Sequence, residues 1–153
     1  IKPIPVDERK DMVSAYYKRL TSDVRDTRIE AARAWSIWEA STSKLIQSEK
    51  SLHSFDDEKV AEAFARIECH YFTNSGFFET DNWLIENSYK IKDIPIDIVQ
   101  GRYDVVCPMV SAWELYKALP SSNFYLIQDS GHSMTEDGIR SKLIELTDRY
   151  IDG

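Results

Sequence analysis

Two side chains capable of acid–base chemistry follow two predicted strands in the second half of the chain. Asp104 comes shortly after the β-branched run 94–100, and His132 shortly after the apolar run 124–128. The intervening helical pattern makes a strand–helix–strand unit, so we expect parallel neighbouring strands that deliver both side chains to one sheet edge. An aspartate that orients a histidine, which then takes a proton from a hydroxyl, needs this placement. The structural alternative is a capping aspartate and an unrelated loop histidine.

Helical periodicity dominates the first ninety residues, where we predict three helices. The first begins near Pro5. A capping box of Thr27 and Glu30 predicts the start of the second, and 54–57 predicts that of the third. The second helix is expected to bury Ala31, Trp35, Trp38 and Leu45. The third presents a stripe of Val60, Ala63, Phe64, Ile67 and Tyr71. Six aromatic residues are expected mostly to pack between helices, with a minority at a cleft: Tyr16, Tyr17, Trp35, Trp38, Phe64 and Tyr71.

The pattern changes to an α/β one after about residue 90. Strands are predicted at 94–100 and 124–128, with helices after each of them. Parallel sheets are normally covered by helices on both faces, and two strands rarely form a stable sheet alone. This region therefore resembles the edge of a larger sheet.

Composition restricts the function classes. The 153 residues include 42% hydrophobic and 29% charged residues, which is typical of a globular protein, and the formal net charge is −7. Such a chain would on average repel a nucleic-acid backbone, whereas an amine-bearing substrate would suit it. We expect no membrane segment and no signal peptide. Two cysteines, Cys69 and Cys107, make no disulfide framework, so a cytoplasmic location is expected.

No metal or organic cofactor is expected. Neither His53 nor His70 pairs with another histidine or cysteine at a recognised ligand spacing. His53 is interpreted as a loop residue.

Four segments carry a resemblance to a known family: 30–39, 65–72, 98–104 and 130–133. The chain resembles the C-terminal half of a proline iminopeptidase of the α/β-hydrolase fold. This fold orders its triad as serine, acid and histidine. The resemblance implies that Asp104 is the acid and His132 the base. It also implies a helical cap domain at 1–90, followed at 91–153 by the last two strands and helices of the core.

The nucleophile motif is not found in this sequence. The glycines are at 76, 101, 131, 138 and 153, so no G-x-S-x-G occurs, and neither does a His-Gly-Gly oxyanion segment. In the family both precede the cap. We therefore expect a fragment whose partner is the missing N-terminal half of its own fold, and which is inactive alone.

The same resemblance assigns the substrate contacts. Glu39 and Glu68 are expected to bind the free amine of a peptide that begins with proline. A carboxylate beside aromatic rings is costly unless it meets a cation. Val106 and Cys107 are expected to line the pocket for the proline ring. The structural alternative for each glutamate is a solvated helix face.

Two other functions remain open. An esterase, epoxide hydrolase or C–C bond hydrolase would share the acid and histidine but has no reason to keep two cap carboxylates. A non-catalytic helical interaction module would carry Asp104 and His132 as vestiges.

Overall fold

A computed structural model describes residues 3–47 and 57–151 of the chain. His53 lies outside these ranges, and so do residues 54–56, which are part of the segment predicted to cap the start of the third helix. By their internal contacts the residues divide into two units. The first consists of Ile1–Ser41 and Ser48–Asp81, and the second of Thr42–Gln47 and Asn82–Gly153. The prediction of a cap at 1–90 and a core part at 91–153 concerns the parent fold and stays a prediction.

The first unit is helical. It contains α1 (Met12–Leu20), α2 (Arg25–Thr42, which ends one residue into the second unit) and α3 (Glu58–Thr73), with short 3₁₀ helices at Val6–Glu8 and Ser75–Phe77. Side-chain caps begin two of the helices. Asp11 accepts a hydrogen bond from the Ser14 amide at the start of α1, and Asp57 accepts from two amides at the start of α3. The N-cap role of Asp57 thus confirms that the third predicted helix begins at the end of the segment 54–57.

The predicted Thr27 cap is wrong. Helix α2 already begins at Arg25, so Thr27 lies in its first turn. The reason is local: the Ser22 hydroxyl accepts from the Val24 amide, and the Val24 carbonyl already receives the helical bond from Arg28. This turn starts the helix earlier than the capping-box pattern suggests.

Alanines lie on the buried faces of α2 and α3. Ala31 and Ala32 on α2, and Ala61 and Ala65 on α3, are fully buried. The wider core of this unit adds Ile4, Ala15, Tyr16, Leu20, Trp35 and Cys69. Small side chains let two helices approach closely, so burial on α3 falls on its alanines rather than on its larger residues.

The predicted large-residue stripe of α3 is therefore not its buried face. Its members Val60, Ala63, Phe64, Ile67 and Tyr71 are all exposed. On α2, Trp35 is buried as expected, but Trp38 is exposed. Leu45, predicted to be buried on the same helix, lies beyond the end of α2 and is exposed. The periodicity of apolar residues predicts that a segment is helical, but it does not decide which side of the helix packs against the rest of the protein.

The second unit has α/β structure. It contains α4 (Trp83–Glu86), a 3₁₀ helix (Ser88–Ile91), β1 (Asp97–Gly101), α5 (Met109–Ala118), β2 (Asn123–Ile127) and α6 (Asp137–Arg149). The strands are parallel neighbours, in a register that runs from Asp97 opposite Asn123 to Gly101 opposite Ile127. Leu119, Ile139 and Leu146 are buried here. This arrangement confirms the predicted strand–helix–strand unit.

The second unit also includes residues 42–47 from the middle of the chain. The Ser43 carbonyl accepts hydrogen bonds from the amides of His132 and Ser133, at 3.1 and 2.7 Å. The Leu45 amide donates to Oε2 of Glu136 at 3.0 Å. A short segment that is distant in sequence thus holds the loop after β2.

Candidate active site

Asp104 and His132 are in contact at the carboxyl ends of the two strands. Nδ1 of His132 lies 3.0 Å from Oδ2 of Asp104, whose side chain is 6% exposed, while that of His132 is 37% exposed. Because an ionised carboxylate only accepts hydrogen bonds, Nδ1 must carry the proton in this pair. The other ring nitrogen, Nε2, is then the atom able to take a proton from a nucleophile.

The two loops are joined along their backbones. The Arg102 amide donates to the carbonyl of Ile127 at 2.9 Å, and the Tyr103 amide donates to that of Ser130 at 3.0 Å. The sheet ladder therefore continues into the loops beyond the strands. This continuation brings Asp104, three residues after Gly101, level with His132.

The Asp104 carboxylate is held by backbone amides as well as by His132. Its Oδ1 accepts from Val106 and Cys107, at 3.0 and 2.7 Å. Val106 is partly buried and Cys107 is exposed. These two residues, predicted to line a proline pocket, thus have a backbone role in the structure, and their role toward a substrate stays a prediction.

Sequence reasoning missed two residues that support this pair. Gln100 donates from Nε2 to Oδ2 of Asp104 at 3.2 Å. Oε1 of Glu136 accepts a 2.8 Å hydrogen bond from the amide of Gly131, the residue before His132. The available signal for Gln100 was a polar residue directly after two apolar ones, Ile98 and Val99, at the end of the predicted strand. Glu136 gave none, because a glutamate before a helix is ordinary.

Glu39 and Glu68 both lie in the first unit. Glu39, on α2, is 6% exposed, and Glu68, on α3, is partly buried. Oε2 of Glu68 accepts a 2.6 Å hydrogen bond from Nε1 of Trp35, one helical turn before Glu39. Both glutamates are therefore less solvated than a carboxylate on an ordinary helix face.

An apolar cavity of about 300 Å³ lies in the first unit beside Trp35. Trp35 packs edge-on against Tyr16, at 5.2 Å between ring centroids, and lies 5.9 Å from Phe72. The lining residues are Met12, Val13, Tyr16, Trp35, Trp38 and Phe72. Of the six aromatic residues predicted to pack, Tyr16, Trp35 and Trp38 line this cavity, and Tyr16 and Trp35 also pack against each other.

Within residues 3–47 and 57–151, no group of three or more histidine, cysteine, aspartate or glutamate side chains could hold a metal ion. In the same ranges, no helix combines the length and apolar character needed to cross a bilayer.

This chain has close similarity to proteins of known family. It is 58% identical to a probable proline iminopeptidase of Leptolyngbya boryana over 99% of its own length, and 47% identical to a proline iminopeptidase of Xanthomonas citri over 98%. A proline iminopeptidase of Arabidopsis thaliana is 48% identical over 92% of the chain. The chain is similar to proline iminopeptidases over nearly its entire length.

The similarity covers the C-terminal part of these relatives. The chain spans 47%, 48% and 37% of the lengths of the three, which is about half or less. No protein-family model matches the chain.

The fold also matches a solved structure. An esterase from Exiguobacterium antarcticum superimposes with a TM-score of 0.58 over 99% of this chain and 54% of its own, at 20% sequence identity. The predicted class, part of an α/β-hydrolase fold, is thereby confirmed.

Proposed function

We propose that this chain is the C-terminal part of a serine exopeptidase that releases N-terminal proline from peptides. The observation that carries the proposal is the 3.0 Å contact between His132 and Asp104 at the ends of neighbouring parallel strands. Its support is the similarity to proline iminopeptidases across nearly the whole chain.

The proposed reaction is an acyl transfer in two steps: acylation of a serine, and then hydrolysis of the acyl-enzyme. A serine from the upstream half of the protein attacks the carbonyl carbon of the N-terminal prolyl residue, while Nε2 of His132 takes the hydroxyl proton. Asp104 fixes the Nδ1–H tautomer and stabilises the imidazolium. His132 then gives its proton to the leaving amine as the peptide bond breaks. Water, activated in the same way, hydrolyses the ester and releases proline.

Substrate selection is assigned to the first unit. We propose that Glu39 and Glu68 bind the protonated amine of the prolyl residue through charge-assisted hydrogen bonds. Low solvation makes each carboxylate more attractive to a cation than one in bulk water. This requirement for a charged N-terminus would make the enzyme an exopeptidase. Val106 and Cys107 would line the ring pocket.

The remaining parts of the catalytic site belong to the proposed upstream half. The serine and the oxyanion-hole amides would come from there, so this chain alone should not hydrolyse prolyl substrates. A cytoplasmic location also stays a prediction, which fractionation of the source cells would test.

A chimeric enzyme tests the proposal. The upstream half of the Leptolyngbya boryana relative would be joined to this chain and compared with the intact relative, using aminoacyl-arylamides and simple aryl esters. We expect hydrolysis that is strongest for the prolyl-arylamide, and a loss of about 10³-fold or more in kcat on His132→Ala. The chain alone should be inactive.

Two outcomes would contradict the proposal. One is a folded chimera that prefers simple esters to the prolyl-arylamide, which would indicate another type of hydrolase. The other is an unchanged rate in the His132→Ala variant. The intact relative shows that the assay detects the activity.

A further inference from the structure

Gln100 is a buried polar residue near the carboxyl end of β1, after the apolar residues Ile98 and Val99. Its exposure is 8%, and it lies on β1 between Val99 and Gly101. A buried amide costs free energy unless its donors find acceptors, so its partners identify what it does.

The partners of the Gln100 amide nitrogen are all oxygens. Nε2 lies 3.2 Å from each of three atoms: the Gly101 carbonyl, the Cys107 carbonyl and Oδ2 of Asp104. All three are acceptors only, so the nitrogen rather than the oxygen of the amide must face them. The orientation of Gln100 is thus fixed by chemistry.

Gln100 completes the set of donors around the Asp104 carboxylate. Oδ1 accepts from the amides of Val106 and Cys107, whereas Oδ2 accepts from Gln100 and faces Nδ1 of His132. A carboxylate is planar, so donors on both of its oxygens fix its rotation. The bond to the Cys107 carbonyl also ties the strand to the far end of the same loop.

We propose that Gln100 is a positioning residue that holds Oδ2 of Asp104 in the orientation required by Nδ1 of His132. This inference rests on the proposed function for its kinetic consequence only, since its geometric part concerns the Asp104–His132 pair itself. Without the Gln100 donor, Oδ1 keeps its two backbone amides, but the position of Oδ2 then depends on the His132 imidazole, which is the group that Oδ2 should hold. His132 would then be poorly held.

Gln100→Met tests the proposal in the chimeric enzyme, because methionine has nearly the shape of glutamine but no donor. We expect kcat for the prolyl-arylamide to fall about 10- to 100-fold. KM should stay within about twofold, because amine binding is assigned to other residues. The low-field proton NMR resonance of His132 Nδ1–H should broaden or shift.

Gln128→Met is the matched control. Gln128 is exposed, and its Oε1 accepts from Arg102 at 2.8 Å, so the same substitution there leaves the carboxylate untouched. We expect unchanged kinetics and an unchanged resonance. Gln100→Asn covers the case in which Gln100→Met does not fold. It keeps a buried amide that is one methylene too short to reach Asp104, and it should give the same losses.

A folded Gln100 variant with wild-type kcat and an unchanged Nδ1–H resonance would overturn the proposal. So would a rise in KM with constant kcat, which would indicate substrate binding instead. If the chimera shows no prolyl activity, the proposed function fails, while the NMR comparison still decides whether Gln100 positions the pair.

Discussion

The backbone of Gly101 passes so close to Gly131 that a Cβ on Gly101 would lie 1.9 Å from the Gly131 carbonyl oxygen. It would also lie 2.8 Å from the carbonyl oxygen of Ser130. Atoms without a covalent bond do not approach to such a distance, so glycine at 101 lets the two loops meet. The Asp104–His132 contact depends on this approach.

Gly101→Ala should therefore separate the strand ends. The clash is with backbone, which cannot turn away as a side chain can, so we expect a loss of about 3 kcal/mol in the free energy of unfolding. Urea denaturation would measure it. Gly138→Ala is the comparison: its Cβ would meet side-chain atoms rather than backbone, the nearest being Cγ2 of Ile127 at 2.6 Å, so we expect a smaller loss. Equal losses for the two variants would contradict the interpretation.

Asp104→Asn should lower kcat of the chimeric enzyme by about 10⁴-fold. Both carboxylate oxygens accept hydrogen bonds, and an asparagine must turn its NH₂ group toward donors on one side or the other. The Nδ1–H tautomer of His132 is then no longer favoured. Steady-state kinetics would measure the change, with exposed Asp137→Asn as the control. A loss of less than tenfold would count against a role for Asp104 in catalysis.

Glu39→Gln with Glu68→Gln should raise KM for prolyl-arylamides by about 100-fold or more. Each charge-assisted hydrogen bond contributes roughly 1.5–3 kcal/mol. Glutamine at 68 keeps an oxygen for the Trp35 hydrogen bond, so packing is preserved while the charge is removed. Glu30 is exposed on α2, the helix that carries Glu39, so Glu30→Gln is the control and should leave KM unchanged. Unaltered KM in the double variant would exclude amine binding by these residues.

The two cysteines should differ strongly in reactivity. Burial raises the pKa of the Cys69 thiol to about 11, with the nearby Glu68 charge as a smaller cause, so almost no thiolate forms at pH 8. Cys107 is exposed. Ellman's reagent should therefore modify one thiol per native chain and two after denaturation. Cys107→Ser should abolish the fast reaction, whereas its persistence would place the reactive thiol at Cys69.

Glu62 should make the stability of the protein depend on pH. Its hydrogen bond from Arg28, at 2.7 Å, lowers the pKa of Glu62 below the ordinary value of 4.5. The stabilisation is complete above that value and is lost as the pH falls through the lowered pKa. Glu62→Gln should cost about 1 kcal/mol at pH 7. Urea denaturation at several pH values should show that the difference in free energy of unfolding between the wild type and this variant disappears in acid. A difference that stays constant with pH would indicate a loss of packing instead.

Local patterns in the sequence predicted the strands, the helices of the second unit and the meeting of Asp104 with His132. These depend on short-range periodicity and on the rule that parallel strands end at one edge. The buried face of α3 could not be obtained in this way, because packing between helices chose Ala61 and Ala65 over larger residues. Hydrogen bonds across long sequence separations, such as that from the His132 amide to the Ser43 carbonyl, produce no periodic pattern in the sequence and could not be predicted from it.

Residues 42–47 have a practical consequence for recombining this chain with its relatives. A crossover that takes residues 131–136 from one parent and 42–47 from another divides three hydrogen bonds between the parents. The bonds of the His132 and Ser133 amides to the Ser43 carbonyl join backbone atoms, so they need the two loops to keep their shape, whereas the bond of the Leu45 amide needs the Glu136 side chain. Libraries that inherit the two segments together should retain more folded members than libraries cut between them. An excised polypeptide beginning at residue 82 would lack the Ser43 acceptor altogether.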